Sequence, residues 1–80
     1  MKSFELIKAL EDGKELVKDH SMAFPEQYKY TTPGEHVEGL RMITHQSGVS
    51  FERLGWGSAL GRVEQILMEI MNHPEYWQIK

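Results

Sequence analysis

The chain of 80 residues contains no cysteine, only three prolines and no long apolar run. Without cysteine, neither a disulfide nor a thiolate-bound metal can hold so small a fold together, and this absence is compatible with a reducing cytosol. No apolar segment approaches the roughly 20 residues that cross a bilayer as a helix, so we expect no membrane span. The sequence therefore predicts one small domain, residues 1–80, that must pack well or oligomerise.

Positive charge is also scarce, because nine Lys and Arg residues face twelve Asp and Glu residues, for a net charge of −3. Proteins that bind nucleic acid need clustered Lys and Arg to neutralise phosphates, so we expect no direct nucleic-acid binding. A weakly acidic surface instead suits docking onto a basic surface of another protein. The first residues begin a helix with Glu5 and Glu11 on it, which is unlike a signal peptide and predicts a cytoplasmic protein.

Two amphipathic segments predict helices. Residues Ser3–Asp12 place apolar side chains on one helical face, and Gly13 follows as a natural helix terminator. Ser58–Met71 repeats the same spacing, with Ser58 as N-cap and Pro74 as the stop. A helix with an apolar stripe must pack on another element, and the chain between these two segments is typical of strands.

The predicted strands are Lys14–Lys18, Gln27–Thr32, His36–His45 and Val49–Leu54. Asp19–Pro25 is predicted as a loop, and the residues from Trp77 to Ile79 as a short final strand or a packed tail. Tyr28 and Tyr30 have strand period, so both rings are expected on one face, buried or exposed together. The predicted fold is α+β: a mostly antiparallel sheet of about four strands with two helices packed on one face.

No catalytic, metal or cofactor constellation is evident. The four histidines are His20, His36, His45 and His73. No two of them have the spacing of a metal-binding helix motif, and no serine lies in a GxSxG sequence. We therefore expect no catalytic residues, no metal and no cofactor.

Aromatic and acidic side chains are the better candidates for a functional surface, if the fold exposes them. Tyr, Trp and Arg are enriched at the energetic centres of protein interfaces. Glu26 and Glu35 flank the two tyrosines, and Trp56 and Arg62 lie around the glycine-rich segment before the long helix. The candidate partner-binding residues are therefore Tyr28, Tyr30, Glu26, Glu35, Trp56 and Arg62.

One segment of the long helix carries a family resemblance. Gly57-Ser58-Ala59-Leu60-Gly61-Arg62-Val63-Glu64, followed by Glu69-Ile70, resembles the C-terminal helix of a small phage anti-CRISPR family. That family inhibits the type I-F surveillance complex and has an antiparallel sheet carrying two helices. The resemblance covers roughly a quarter of the chain. It implies an inhibitor that binds a host defence protein in the host cytoplasm.

A second resemblance involves both ends of the chain. The frame Phe4-Glu5-Leu6-Ile7-Lys8-Ala9-Leu10-Glu11-Asp12-Gly13-Lys14, together with Tyr76-Trp77-Gln78-Ile79, is similar to small phage and prophage accessory proteins. Some of those proteins are anti-defence proteins that sequester a nucleotide signal. The tryptophan usual after the Gly-Lys turn is replaced here by Glu15-Leu16-Val17.

These observations give a leading hypothesis and two alternatives. The leading one is a phage-encoded inhibitor that binds a host defence protein, such as a CRISPR effector complex, and blocks it sterically. The first alternative is a nucleotide-sequestering anti-defence protein, with Arg62 and the glycine turn contacting phosphate and an aromatic ring stacking on the base. The second alternative is a structural or regulatory module that forms a homodimer through an exposed strand edge.

Overall fold

The computed structural model describes residues 2–32, 34–55 and 63–80, apart from the side chain of Val63. Three α-helices are found in this part of the chain: α1 (Ser3–Glu11), α2 (His20–Ala23) and α3 (Val63–Asn72). A 3₁₀ turn, Pro74–Tyr76, follows α3. The strands are β1 (Leu16–Asp19), β2 (Val37–His45), β3 (Gly48–Gly55) and β4 (Gln78–Ile79).

The four strands form one antiparallel sheet in the order β3-β2-β1-β4. β2 and β3 form a long hairpin, which closes where His45 pairs with Gly48. Gly48 has φ +136°, a backbone conformation that side chains with a Cβ disfavour. The α+β class and the antiparallel sheet of about four strands are therefore confirmed.

Both long helices pack on one face of this sheet. Leu16 and Leu40 are opposite each other in β1 and β2, so their side chains point to the same face. They form the core together with apolar residues of α1 and α3 and with the indole that precedes β4. The buried core residues are Leu6, Ala9, Leu10, Leu16, Leu40, Ile66, Ile70 and Trp77.

The predicted strand Gln27–Thr32 is wrong. Residues 25–30 are turns, and His20–Ala23, inside a predicted loop, is the short helix α2. Asp19 explains this helix, because its side chain accepts a hydrogen bond from the Ser21 backbone N–H at 3.0 Å and so caps it. The fourth strand is instead β4, which pairs with β1 at the far edge from the hairpin.

The long C-terminal helix is confirmed over Val63–Asn72, one residue beyond its predicted end. Its predicted start, with Ser58 as N-cap, lies outside the described residues. No helix in the described part of the chain has both the length and the apolar character needed to cross a bilayer.

The second face of the sheet has an apolar centre. Val17, Gly39 and Leu54 lie side by side across three strands, and Val37 adjoins them on β2. Neither α1 nor α3 contributes to this centre, because their buried residues belong to the core on the first face. This second face is called the open face below.

Candidate functional site

The connection between β1 and β2 is the most unusual feature of the fold, and residues 20–36 are called the β1–β2 loop below. Its two ends meet, because the backbone N–H of His20 donates to the backbone oxygen of His36 at 2.9 Å. Long connections in compact domains are uncommon, and closed loops of this kind are frequently functional. The β1–β2 loop is therefore a candidate binding surface.

Aromatic rings fix the inner side of the β1–β2 loop. Tyr28 packs against the His36 ring with ring centroids 4.9 Å apart. Its ring also meets the His20 ring edge-on, with ring centroids 6.2 Å apart. Phe24 packs against Tyr76 of the 3₁₀ turn at 5.1 Å. The Tyr28 contacts pack the middle of the loop against its two ends, and the Phe24 contact attaches the loop to the body of the protein.

Tyr30 lies on the outer side of the β1–β2 loop and is 90% exposed. The Lys29 ammonium lies 5.1 Å from the centroid of its ring. Glu26 and Glu35 are both exposed, and a Glu35 carboxylate oxygen accepts from the Thr32 backbone N–H at 3.2 Å. The loop therefore presents a tyrosine and two carboxylates to solvent.

The expectation that Tyr28 and Tyr30 share one environment is wrong. It required a strand with period two, whereas turns direct Tyr28 inward and leave Tyr30 outside. Trp56 and Arg62, the other two candidates, lie outside the described residues. Of the four described candidates, Tyr30, Glu26 and Glu35 are surface residues and Tyr28 is an anchor.

A groove of about 290 Å³ lies beside the loop, on the open face of the sheet. Its apolar walls come from the sheet, α2 and the 3₁₀ turn, and two carboxylates stand at its rim. The lining residues are Val17, Asp19, Met22, Ala23, Val37, Glu75, Tyr76 and Gln78. An apolar floor with carboxylates at its edge suits a basic side chain that has an aliphatic stem.

Both carboxylates at the groove have lowered pKa values. The hydrogen bond from the Ser21 hydroxyl, at 2.6 Å, is the largest cause of the lowered pKa of Asp19. The backbone N–H of Glu75 itself, followed by the His73 ring, lowers the pKa of the Glu75 carboxyl. The groove is therefore negatively charged at neutral pH.

The first face of the sheet, on which α1 and α3 pack, contains a buried carboxylate. The Glu38 side chain is 1% exposed, accepts a hydrogen bond from Arg53 Nε at 2.6 Å and lies 3.3 Å from His20 Nε2. Sequence analysis missed this group. The strand period could have found it, because Glu38 is two residues from the core residue Leu40 and so points to the same face.

Lys18 is a second buried charge on that face and was missed in the same way. Its side chain pairs with Glu69 of α3. Its ammonium also lies 5.3–5.6 Å from the ring centroids of Phe24, Tyr76 and Trp77. Three rings and one carboxylate around a cation connect β1, the β1–β2 loop, α3 and the 3₁₀ turn.

In residues 2–32, 34–55 and 63–80 no three metal-ligating side chains come together. Comparison of the chain with protein-family models, with curated proteins and with solved structures gave no match. The site is therefore defined by its own geometry: an anchored loop with an exposed tyrosine, beside an acidic groove.

Proposed function

We propose that the protein is an inhibitor that binds another protein through the outer side of the β1–β2 loop. The observation that carries this proposal is the position of Tyr30, almost fully exposed on a loop that is closed at its base and anchored by Tyr28. The Tyr30 ring is therefore accessible to a partner. Tyrosine is a typical anchor of protein interfaces, because one end is apolar and the other forms hydrogen bonds.

Anchoring makes the loop suited to binding. A loop that must become ordered on association loses conformational entropy, and this loss lowers affinity. The Tyr28 and Phe24 contacts hold the loop before any partner arrives. Binding energy gained at Tyr30 is then not used to order the loop.

The charge of the surface favours a basic partner. Glu26 and Glu35 lie on the loop, and Asp19 and Glu75 stand at the adjoining groove. Together with the net charge of −3, these carboxylates steer the protein toward a positively charged surface. Such surfaces commonly hold nucleic acid, so occupation of one blocks its function sterically.

The partner in this proposal is a host defence protein. The resemblance of residues 57–64 to a phage anti-CRISPR family supports a phage-encoded inhibitor that acts in the host cytoplasm on a CRISPR effector complex. Under this proposal the inhibitor needs neither a catalytic residue nor a cofactor. The nucleotide-sequestering alternative depended on Arg62 and the glycine turn, which lie outside the described residues, and stays a prediction.

The test is a competition experiment with purified components. A type I-F surveillance complex is incubated with its fluorescent DNA target, and the anisotropy is measured as the protein is added. We expect wild-type protein to displace the DNA and Tyr30→Ala to need at least about ten times more protein, as for the loss of an interface anchor. Met68→Ala, an exposed residue on α3, is the matched control and should behave as wild type.

Two results would contradict the proposal. Equal inhibition by wild type and Tyr30→Ala would mean that the β1–β2 loop is not the binding surface. No inhibition by wild-type protein, and no partner captured from host lysate with the same bait, would mean that the protein is not an inhibitor of this kind.

A homodimer is the second candidate function, and one observation favours it. β3 (Gly48–Gly55) is the outer strand of the sheet and pairs only with β2 among the described strands. The other edge of a strand this long can pair with a second copy of the chain. Sedimentation velocity over a hundred-fold range of protein concentration would show a concentration-dependent dimer, and a constant monomer would contradict this candidate.

A further inference from the structure

The groove beside the β1–β2 loop, called the acidic groove below, offers an apolar surface to a ligand. Val17 and Val37 line it from the sheet, and Met22 and Ala23 line it from α2. Met22 is 70% exposed, so a ligand in the groove can contact its side chain. A cavity of about 150 Å³ holds a benzene ring, so the groove, at about 290 Å³, has room for one long side chain of another molecule.

Two ionised carboxylates stand at the rim of the acidic groove. Asp19 is the last residue of β1 and the N-cap of α2, and Glu75 lies in the 3₁₀ turn. The largest causes of their lowered pKa values are the Ser21 hydroxyl for Asp19 and the backbone N–H of Glu75 for its own carboxyl. A cation that enters the groove therefore meets two carboxylates in their charged form.

An apolar surface with carboxylates at its rim selects a cation with an aliphatic stem, as in lysine and arginine. Gln78 also lines the groove, and its side-chain oxygen is a third acceptor. A guanidinium has five N–H donors in a planar fork, so it can reach several acceptors, and it is more weakly hydrated than an ammonium. Arginine therefore fits the groove better than lysine.

The apolar surface continues past the acidic groove, which favours a peptide over a free small cation. A second and more open groove of about 300 Å³ shares Val17 and Val37 with the first and adds Leu54. An apolar side chain next to the arginine can bury area there, and burial of apolar area favours association. A small guanidinium compound would leave this part of the open face uncovered.

We propose that the acidic groove binds an arginine side chain of a partner protein, while an adjacent apolar side chain packs on the open face. The guanidinium lies between the Asp19 and Glu75 carboxylates, and the aliphatic stem contacts Val17 and Val37. The proposal rests on the proposed function for its partner, since Tyr30 and the acidic groove would then belong to one interface. Peptide binding needs no partner protein, so the two proposals can fail separately.

The first experiment compares three blocked tripeptides on the purified protein. The central residue is arginine, citrulline or lysine between two leucines, and citrulline keeps the shape of arginine without its charge. The methyl signals of Val17 and Val37 are followed by NMR, with the Val49 methyl signals on the hairpin as reference. We expect a saturable shift with the arginine peptide in the millimolar range, and binding at least about five-fold weaker for citrulline and about two-fold weaker for lysine.

A double variant isolates the carboxylates. Asp19→Asn combined with Glu75→Gln should weaken binding of the arginine peptide at least about five-fold, because both charges are lost while asparagine still caps α2. Glu64→Gln, an exposed change on α3, is the matched control and should leave binding unchanged. If the double variant fails to fold, the three peptides still test the proposal on the wild-type protein.

Three results would each overturn the proposal. They are no saturable shift of the Val17 and Val37 signals, equal binding of the arginine and citrulline peptides, and lysine binding as tight as that of arginine. The DNA-displacement experiment separates this proposal from the inhibitor proposal. Binding of the arginine peptide without displacement of DNA would contradict the inhibitor alone, whereas displacement of DNA without peptide binding would overturn the arginine site alone.

Discussion

Replacement of Glu38 by glutamine tests the buried charges most directly. Removing one member of a buried ion pair costs about 3–5 kcal/mol, because the remaining charge stays out of water. Arg53 is the group that loses its counter-charge in this variant, and the His20 ring loses its contact with a carboxylate oxygen. The glutamine oxygen still accepts from Arg53, so we expect the lower end of that range, about 3 kcal/mol of unfolding free energy.

Lys18→Met supplies the contrast, because the partner left behind is different. Glu69 is 35% exposed and can be hydrated when the ammonium is removed. Methionine keeps the contacts with the three rings and needs no desolvation of a charge. We expect Lys18→Met to change the unfolding free energy by no more than about 1 kcal/mol.

Urea unfolding followed by far-UV circular dichroism measures both variants, with Glu64→Gln as an exposed control. Thermal unfolding adds a second readout, since about 3 kcal/mol corresponds to a fall in Tm of about 12–24 °C for a domain of this size. A Glu38→Gln variant within about 1 kcal/mol of wild type, or a Lys18→Met variant that loses more than Glu38→Gln, would refute the reasoning.

Two further predictions concern a glycine and a helix cap. Gly55→Ala should destabilise the fold more than Gly13→Ala in urea unfolding. The two glycines have nearly the same φ, +83° at Gly55 and +82° at Gly13, so the backbone strain is similar. A Cβ at Gly55 would in addition lie 2.6 Å from the backbone oxygen of Val37, whereas a Cβ at Gly13 would meet nothing within 4 Å. Equal losses would contradict this. Ser21→Ala should raise the pKa of Asp19 toward its ordinary value, as measured by NMR titration of the carboxyl. A lowered pKa in the folded state stabilises the protein above the unfolded pKa of about 3.8, and this stability is lost as pH falls through the lower folded value. Ser21→Ala should therefore flatten the acid side of the stability profile, and an unchanged profile would contradict the assignment.

The helices and the hairpin could be predicted because their signals are local. Apolar spacing set α1, and Gly48 marked the tight turn between two strands of alternating pattern. The short final strand was also predictable as one of two readings. These elements account for the α+β class.

The β1–β2 loop could not be predicted because its conformation depends on distant contacts. Tyr28 and Tyr30 have the spacing of a strand, but the Tyr28 ring packs against His36 at the end of the loop. Phe24 packs against Tyr76, which lies far along the chain. Period two in two residues is too short a signal to outweigh an aromatic cluster. For the same reason the sequence predicted Tyr30 as a surface candidate but not the anchor that holds it.

The pairing of β4 with β1 has a consequence for the order in which the fold assembles. β2 and β3 adjoin each other in sequence, so their hairpin closes at little entropic cost and on a timescale of about 1–10 μs. β4 must instead pair with Leu16 and Val17 of β1, which lie near the opposite end of the chain. This pairing closes a much longer loop than the hairpin does. Only two residues of β4 pair, so the hairpin should form early, and β4 should join late and open first in the native state. Among the strands, amide hydrogen exchange should then be slowest where β2 pairs with β3 and fastest where β4 pairs with β1.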